Sequence, residues 1–175
     1  MFRVIAIVVF AYSVSLSAQG SPISDAVRSG WNTAKRNMLG SAKVMPEAKY
    51  SFKPVDSVRT YGQILAHVAG ANYEFCAAAK GEKTPFSEDH FEKTATTAAA
   101  IAKALQDSVA YCDAAYTALT DATAAQVVPG AFGGSKAARA AILMGNTNHN
   151  NEHYGNLVTY LRINGLVPPS SAPSR

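Results

Sequence analysis

His149-Asn150-Asn151-Glu152-His153 places two of the chain's four histidines four residues apart. In a helix of about 3.6 residues per turn, positions i and i+4 stand one above the other on one face. Two imidazoles held that way can share one transition-metal ion. A third histidine, His67, lies alone in another amphipathic stretch and can complete a three-nitrogen site between helices. Three neutral imidazoles with an open position suit zinc, nickel, iron or manganese, and leave room for water or a substrate atom. The plain alternatives are a solvated surface pair and a histidine that merely fills a helix seam. Glu152 precedes the second histidine instead of following the first, so the segment is not the HExxH arrangement of metalloproteases. The fourth histidine, His90, falls in the loop-like stretch Ser87 to Glu92 and reads as solvated.

The elements that must carry these residues are helical. Apolar positions recur at steps of three and four, and no convincing strand alternation is present. Helix one runs from about Ser24 to Val44 and ends at Met45-Pro46, followed by an ordered loop from Glu47 to Asp56. Thr60-Tyr61-Gly62-Gln63 matches a capping box and opens helix two, which Gly81 stops. Asn72 interrupts the apolar stripe of that helix and needs a hydrogen-bond partner if buried. Lys83 to Glu92 reads as a loop. Helix three spans about Thr94 to Leu119. Val128 to Gly134 is the most flexible-looking link, Ser135 caps the last element, and helix four runs from about Lys136 to Asn164. Four long helices make an all-α, antiparallel four-helix bundle, and the histidine strips of helices two and four fall near its seams. Asn146, Asn150 and Glu152 are the nearby candidates to orient the imidazoles.

The start of the chain has a different character. Met1-Phe2-Arg3 supplies a positive charge, Val4 to Tyr12 an apolar run, and Ser13 to Gly20 mostly small residues, with cleavage expected after Ser17, Ala18 or Gly20. That layout is a secretory signal peptide, too short for a stable membrane span. The expected organisation is therefore a leader over residues 1–20, one domain over 21–170 and a disordered tail over 171–175. The mature domain is expected in the periplasm or outside the cell. In an oxidising compartment two thiols are usually paired. Cys76 and Cys112 lie on consecutive helices expected to be antiparallel neighbours, so a disulfide is the favoured reading. Two separate buried thiols are the other. The net charge of +4 is spread along the chain without a basic, aromatic-interleaved block, which argues against a nucleic-acid partner.

The stretch from His149 through Tyr154-Gly155-Asn156-Leu157 to Pro169-Ser170 strongly resembles the DinB-like family, as does Tyr61-Gly62-Gln63-Ile64-Leu65-Ala66-His67-Val68-Ala69. The resemblance covers about residues 24 to 170. It implies a four-helix bundle in which His67, His149 and His153 form the metal triad. It also implies a homodimer and a small-molecule substrate. Characterised relatives include metal-dependent transferases that attach low-molecular-weight thiols, and thiol-dependent isomerases. The export expected for this chain departs from that pattern, because the common thiol cofactors act mainly in the cytoplasm. The open readings are therefore a metal-dependent transferase or hydrolase, a bundle that binds a metal or small molecule or assembles with a partner without turnover, and a degenerate member whose histidines merely stiffen the core.

Overall fold

The computed structural model describes residues 21–173; the expected leader lies outside them, as do the last two residues of the expected tail. The four long helices are α1 (Pro22–Val44), α2 (Tyr61–Lys80), α4 (Ala98–Ala118) and α6 (Arg139–Ile163). Two short ones, α3 (His90–Thr94) and α5 (Asp121–Ala124), sit in the connections. Among the described residues no helix is long and apolar enough to cross a membrane.

The start and stop signals act where the sequence places them. Thr60 accepts from the Gln63 backbone N–H while the Gln63 side chain accepts from the Thr60 backbone, closing the capping box. Gly81 ends α2 in the left-handed region at φ 74°, where a side chain would be strained. Other ends are set from a distance. The N-terminus of α1 has no side-chain cap of its own; the Asp121 carboxylate accepts from the backbone N–H groups of Ile23 and Ser24. Thr97, not a residue near Thr94, caps α4, and α6 begins at Arg139, later than Ser135 suggested. The delay has a cause: residues 127–138 form a two-rung antiparallel ladder, Val127–Val128 (β1) against Ala137–Ala138 (β2), around the Ala131–Gly133 turn.

Helix directions correct one expectation. Gly62 approaches Ile101, Asn72 donates to Ser108, and Cys76 pairs with Cys112. Residue numbers rise together along α2 and α4, so these neighbours are parallel. Helix α6 is antiparallel to both, with Asn150 meeting Asn72 and Leu143 meeting Tyr116. The reason is the connection 81–97. It does not turn tightly but returns along the length of α2, the long crossover that some bundles use.

The core is split by a polar layer. One apolar cluster gathers Met38, Tyr61, Leu65, Leu105, Leu157 and Leu161; the other gathers Trp31, Tyr116, Leu119, Leu143 and the cysteines. Between them Asn72, Ser108, Asn146 and Asn150 are wholly buried. Asn150 donates to the Asn72 side chain at 2.8 Å, Asn72 donates to Ser108 Oγ at 3.0 Å, and Ser108 donates to the Leu105 carbonyl. The polar interruption at Asn72 thus has its partners, as burial demands. At the far end the chain is anchored through Ser170. Its backbone N–H donates to the Tyr154 hydroxyl, which donates back to Ser170 Oγ, and Pro169–Ser171 forms a turn packed against Gly40.

Cys76 and Cys112 stand at disulfide-bonding distance, with Cα atoms 5.3 Å apart and both side chains fully buried. Their sequence separation of 36 encloses the whole crossover. Chain-entropy arguments assign such a link about 4 kcal/mol. A Cys76→Ala/Cys112→Ala variant is expected to lose about that much in urea unfolding, and the wild type to lose a similar amount under reducing conditions.

Candidate metal centre

His67 reaches the seam from the middle of α2, and His149 and His153 reach it from one face of α6. Register between the helices comes from the Asn72–Asn150 bond one turn further along, and the Leu157 and Leu65 side chains pack beneath. The Nε2 atoms of all three histidines converge. His149 Nε2 lies 3.2 Å from His67 Nε2 and 3.2 Å from His153 Nε2. The three ligand-capable atoms lie within 4.8 Å of one another. His67 and His153 are at least nine-tenths buried, and His149 is half-buried.

Three imidazoles alone do not satisfy this geometry well. A ring nitrogen has one in-plane direction, carrying either a proton or a lone pair. His149 Nε2 cannot aim it at two neighbours at once. A single cation among the three nitrogens can be met by all of them. Nitrogen ligands at about 2.0–2.1 Å from a tetrahedral zinc ion stand roughly 3.3 Å apart, close to the spacing found. The residues present therefore fit a shared divalent ion, and three histidines leave a coordination position free.

Electrostatics favours the neutral, ligand-ready form. Burial lowers the His67 pKa to about 4, helped by the Arg59 cation and by His153. Burial lowers that of His149 to about 3, helped by His153, His67 and Arg59. His153 is also lowered by burial, although Glu152 pulls the other way from its exposed position.

The surrounding shell differs from expectation. Asn146 and Asn150 turn into the polar layer of the core, because they lie on the stripe of α6 beside the histidines, facing α2 and α4. Glu152 is exposed. The neighbours of the outer ring nitrogens are Glu92 and Asn156. Glu92 Oε1 comes within 3.2 Å of His67 Nδ1, though not aligned as a hydrogen bond, and Asn156 Nδ2 lies 3.5 Å from His153 Nδ1. Glu88 Oε1 is 3.4 Å from His67 Nε2, on the side where the three nitrogens meet. Both acids ride on the crossover, and Gly70 admits it: a Cβ there would stand 2.0 Å from the Glu88 carbonyl oxygen. The only sequence signal for these acids was their position in Ser87 to Glu92, around His90. His90 itself packs against Phe86 and Phe91, apart from the triad. Phe75 flanks His149 with ring centres 5.7 Å apart and meets Phe132 edge-on, an apolar wall on the other side.

A four-helix bundle with an inward histidine triad between its second long helix and its last defines the class of the molecule. The DinB superfamily model matches residues 31–157, most of the chain, and the chain belongs to that superfamily. A solved DinB-like protein from Bacillus cereus is 18% identical with a TM-score of 0.65, the alignment covering 86% of this chain and 96% of that one. A DinB-like protein from Bacillus subtilis is 22% identical with a TM-score of 0.58, covering 80% and 92%. The mycothiol-dependent maleylpyruvate isomerase is 16% identical with a TM-score of 0.63 over 77% of this chain, which spans only 60% of that enzyme. At such identities the likeness is one of fold. Among curated proteins no sequence matches.

The site predicts two outcomes. With pKa values depressed in the fold and near 6.5 in the unfolded chain, the unfolded state binds more protons below pH 6.5. Stability of the metal-free protein is therefore expected to be flat above pH 6.5. It should fall as pH drops from there toward 4, with urea midpoints at pH 7.5, 6 and 5 as the check. Gly70→Ala is expected to cost about 1–3 kcal/mol by pushing the Glu88 backbone off α2, read as a lowered melting temperature.

Proposed function

We propose that the protein binds one divalent transition ion through His67, His149 and His153 and serves as a metal-dependent transferase or hydrolase. The observation that carries this reading is the convergence of three Nε2 atoms on one point, two of the separations being 3.2 Å. When bound, such an ion lowers the pKa of a coordinated water or thiol and polarises a substrate oxygen. The chain's own residues do the rest. The depressed imidazole pKa values keep the ligand nitrogens free of protons near neutrality, so metal binding releases few protons there. Glu92 and Asn156 are the side chains placed to meet the outer nitrogens of His67 and His153. Phe75 and Phe132 limit water on the His149 side.

Zinc, nickel, iron and manganese all suit the donor set. A function outside the cytoplasm accords with the leader-like pattern of residues 1–20 and with a buried cysteine pair at bonding distance. The substrate would be a small molecule, and a homodimer is the assembly we expect in solution.

Elemental analysis of protein purified from its native compartment tests the metal site. About one ion per chain is expected in the wild type, and less than a tenth of that in His149→Ala/His153→Ala. Equal metal content in the two would overturn the reading. Loss of thiol-transfer or ester-hydrolysis activity in the same variant separates an enzyme from a binding module.

A further inference from the structure

Arg59 is the cation beside the triad, and nothing in the metal reading uses it. Its position is tightly determined. Its backbone carbonyl accepts from the Tyr160 hydroxyl at 2.7 Å, and its Nε donates to Glu92 Oε2 at 3.0 Å. The terminal nitrogens of its guanidinium take part in none of the hydrogen bonds among the described residues. Glu92 therefore orients the group by one edge, leaving its two-nitrogen end for a partner from outside.

Arg59 and His153 line the same cleft, of about 350 Å³, with Ser57, Asn156, Val58 and Ile64. The volume suits a small molecule. Its walls are mixed: a guanidinium, an amide and a hydroxyl on one hand, and apolar side chains on the other. Val58, 40% exposed, lies on the apolar wall. Glu88 approaches the triad beside His67, and Glu92 engages Arg59 through Nε alone. The two terminal nitrogens of Arg59 are left to be met by an anionic group from outside.

Resting on the metal reading above, we propose that the cleft receives a small substrate bearing a carboxylate, which Arg59 binds through its terminal nitrogens while the reacting end of the molecule faces the histidine triad. The planar fork of arginine matches a carboxylate in two parallel hydrogen bonds. Asn156 and Ser57 offer further donors at the same wall. A single guanidinium favours a monoanionic carboxylate over a phosphate dianion, which ordinarily gathers several cationic donors. The apolar residues then contact the hydrocarbon part of the substrate.

The probes are succinamate and the neutral diamide succinamide, which match in size and differ by one carboxylate. Calorimetric titration of the zinc-loaded protein is expected to show succinamate binding at least about ten-fold more tightly, the scale of a charged hydrogen-bonded pair. Arg59→Gln should abolish the difference, and Arg59→Lys should restore only part of it. Equal affinity for the two probes in the wild type would overturn the inference, and so would inorganic phosphate binding more tightly than succinamate. The wild-type comparison decides even where a variant fails to fold. Zinc content measured on the same samples separates the two readings. A wild type that takes up no zinc overturns the metal site, whereas a zinc-loaded wild type indifferent to the carboxylate overturns the role of Arg59 alone.

Discussion

A hydrogen bond between two buried amides, Asn150 to Asn72, sets the register on which the site depends. In an apolar bundle, helices can slide by a turn and still bury leucines. An amide in the core cannot move without losing its partner, and an unpaired buried amide costs about 1–3 kcal/mol. Ser108 extends the chain of bonds to α4, and Asn146 reaches the Tyr116 hydroxyl. Three of the four long helices are therefore indexed at one level. The histidines stand next to that level, His67 five positions before Asn72 and His149 directly before Asn150, so the indexing carries straight into the spacing of their nitrogens.

Much of this was readable from residues. A pair of histidines at i and i+4, a capping box at Thr60–Gln63 and a stop at Gly81 are local signals, and each acts through atoms a few residues apart. The inward face of α6 and the helix-two histidine followed from periodicity. What local pattern could not convey was direction. Cys76 and Cys112 approach one another on parallel helices, because the 81–97 connection travels back along α2. Its one turn of helix, α3, is too short to leave a periodic signature. With direction missed, Glu88 and Glu92 were invisible as neighbours of His67, since nothing near them in sequence points to a histidine some twenty residues away. The ladder at residues 127–138 escaped for a similar reason, as two residues per strand are too few to alternate.

The likeness to other members of the superfamily extends to the bundle, while the chemistry must come from side chains. Here the triad is uncharged on its own, with charge supplied from two directions. Acids approach from the crossover, at His67, and a guanidinium approaches from the loop before α2, toward His153. Glu92 joins the two, touching His67 with one oxygen and Arg59 with the other. A single side chain thus relates the ring of one candidate ligand to the cation nearest the cleft, and a change in either would be felt by the other.

A bond between Cys76 and Cys112, which stand at disulfide distance, has a topological consequence. The crossover that bears both acids becomes the body of a covalent ring, closed at the base by the cysteines and lying outside the packed helices. A protease that cuts this exposed strap, for instance after Lys83, would leave a two-chain molecule that still migrates as one until it is reduced. The acids could then part from the histidines while the bundle stayed whole.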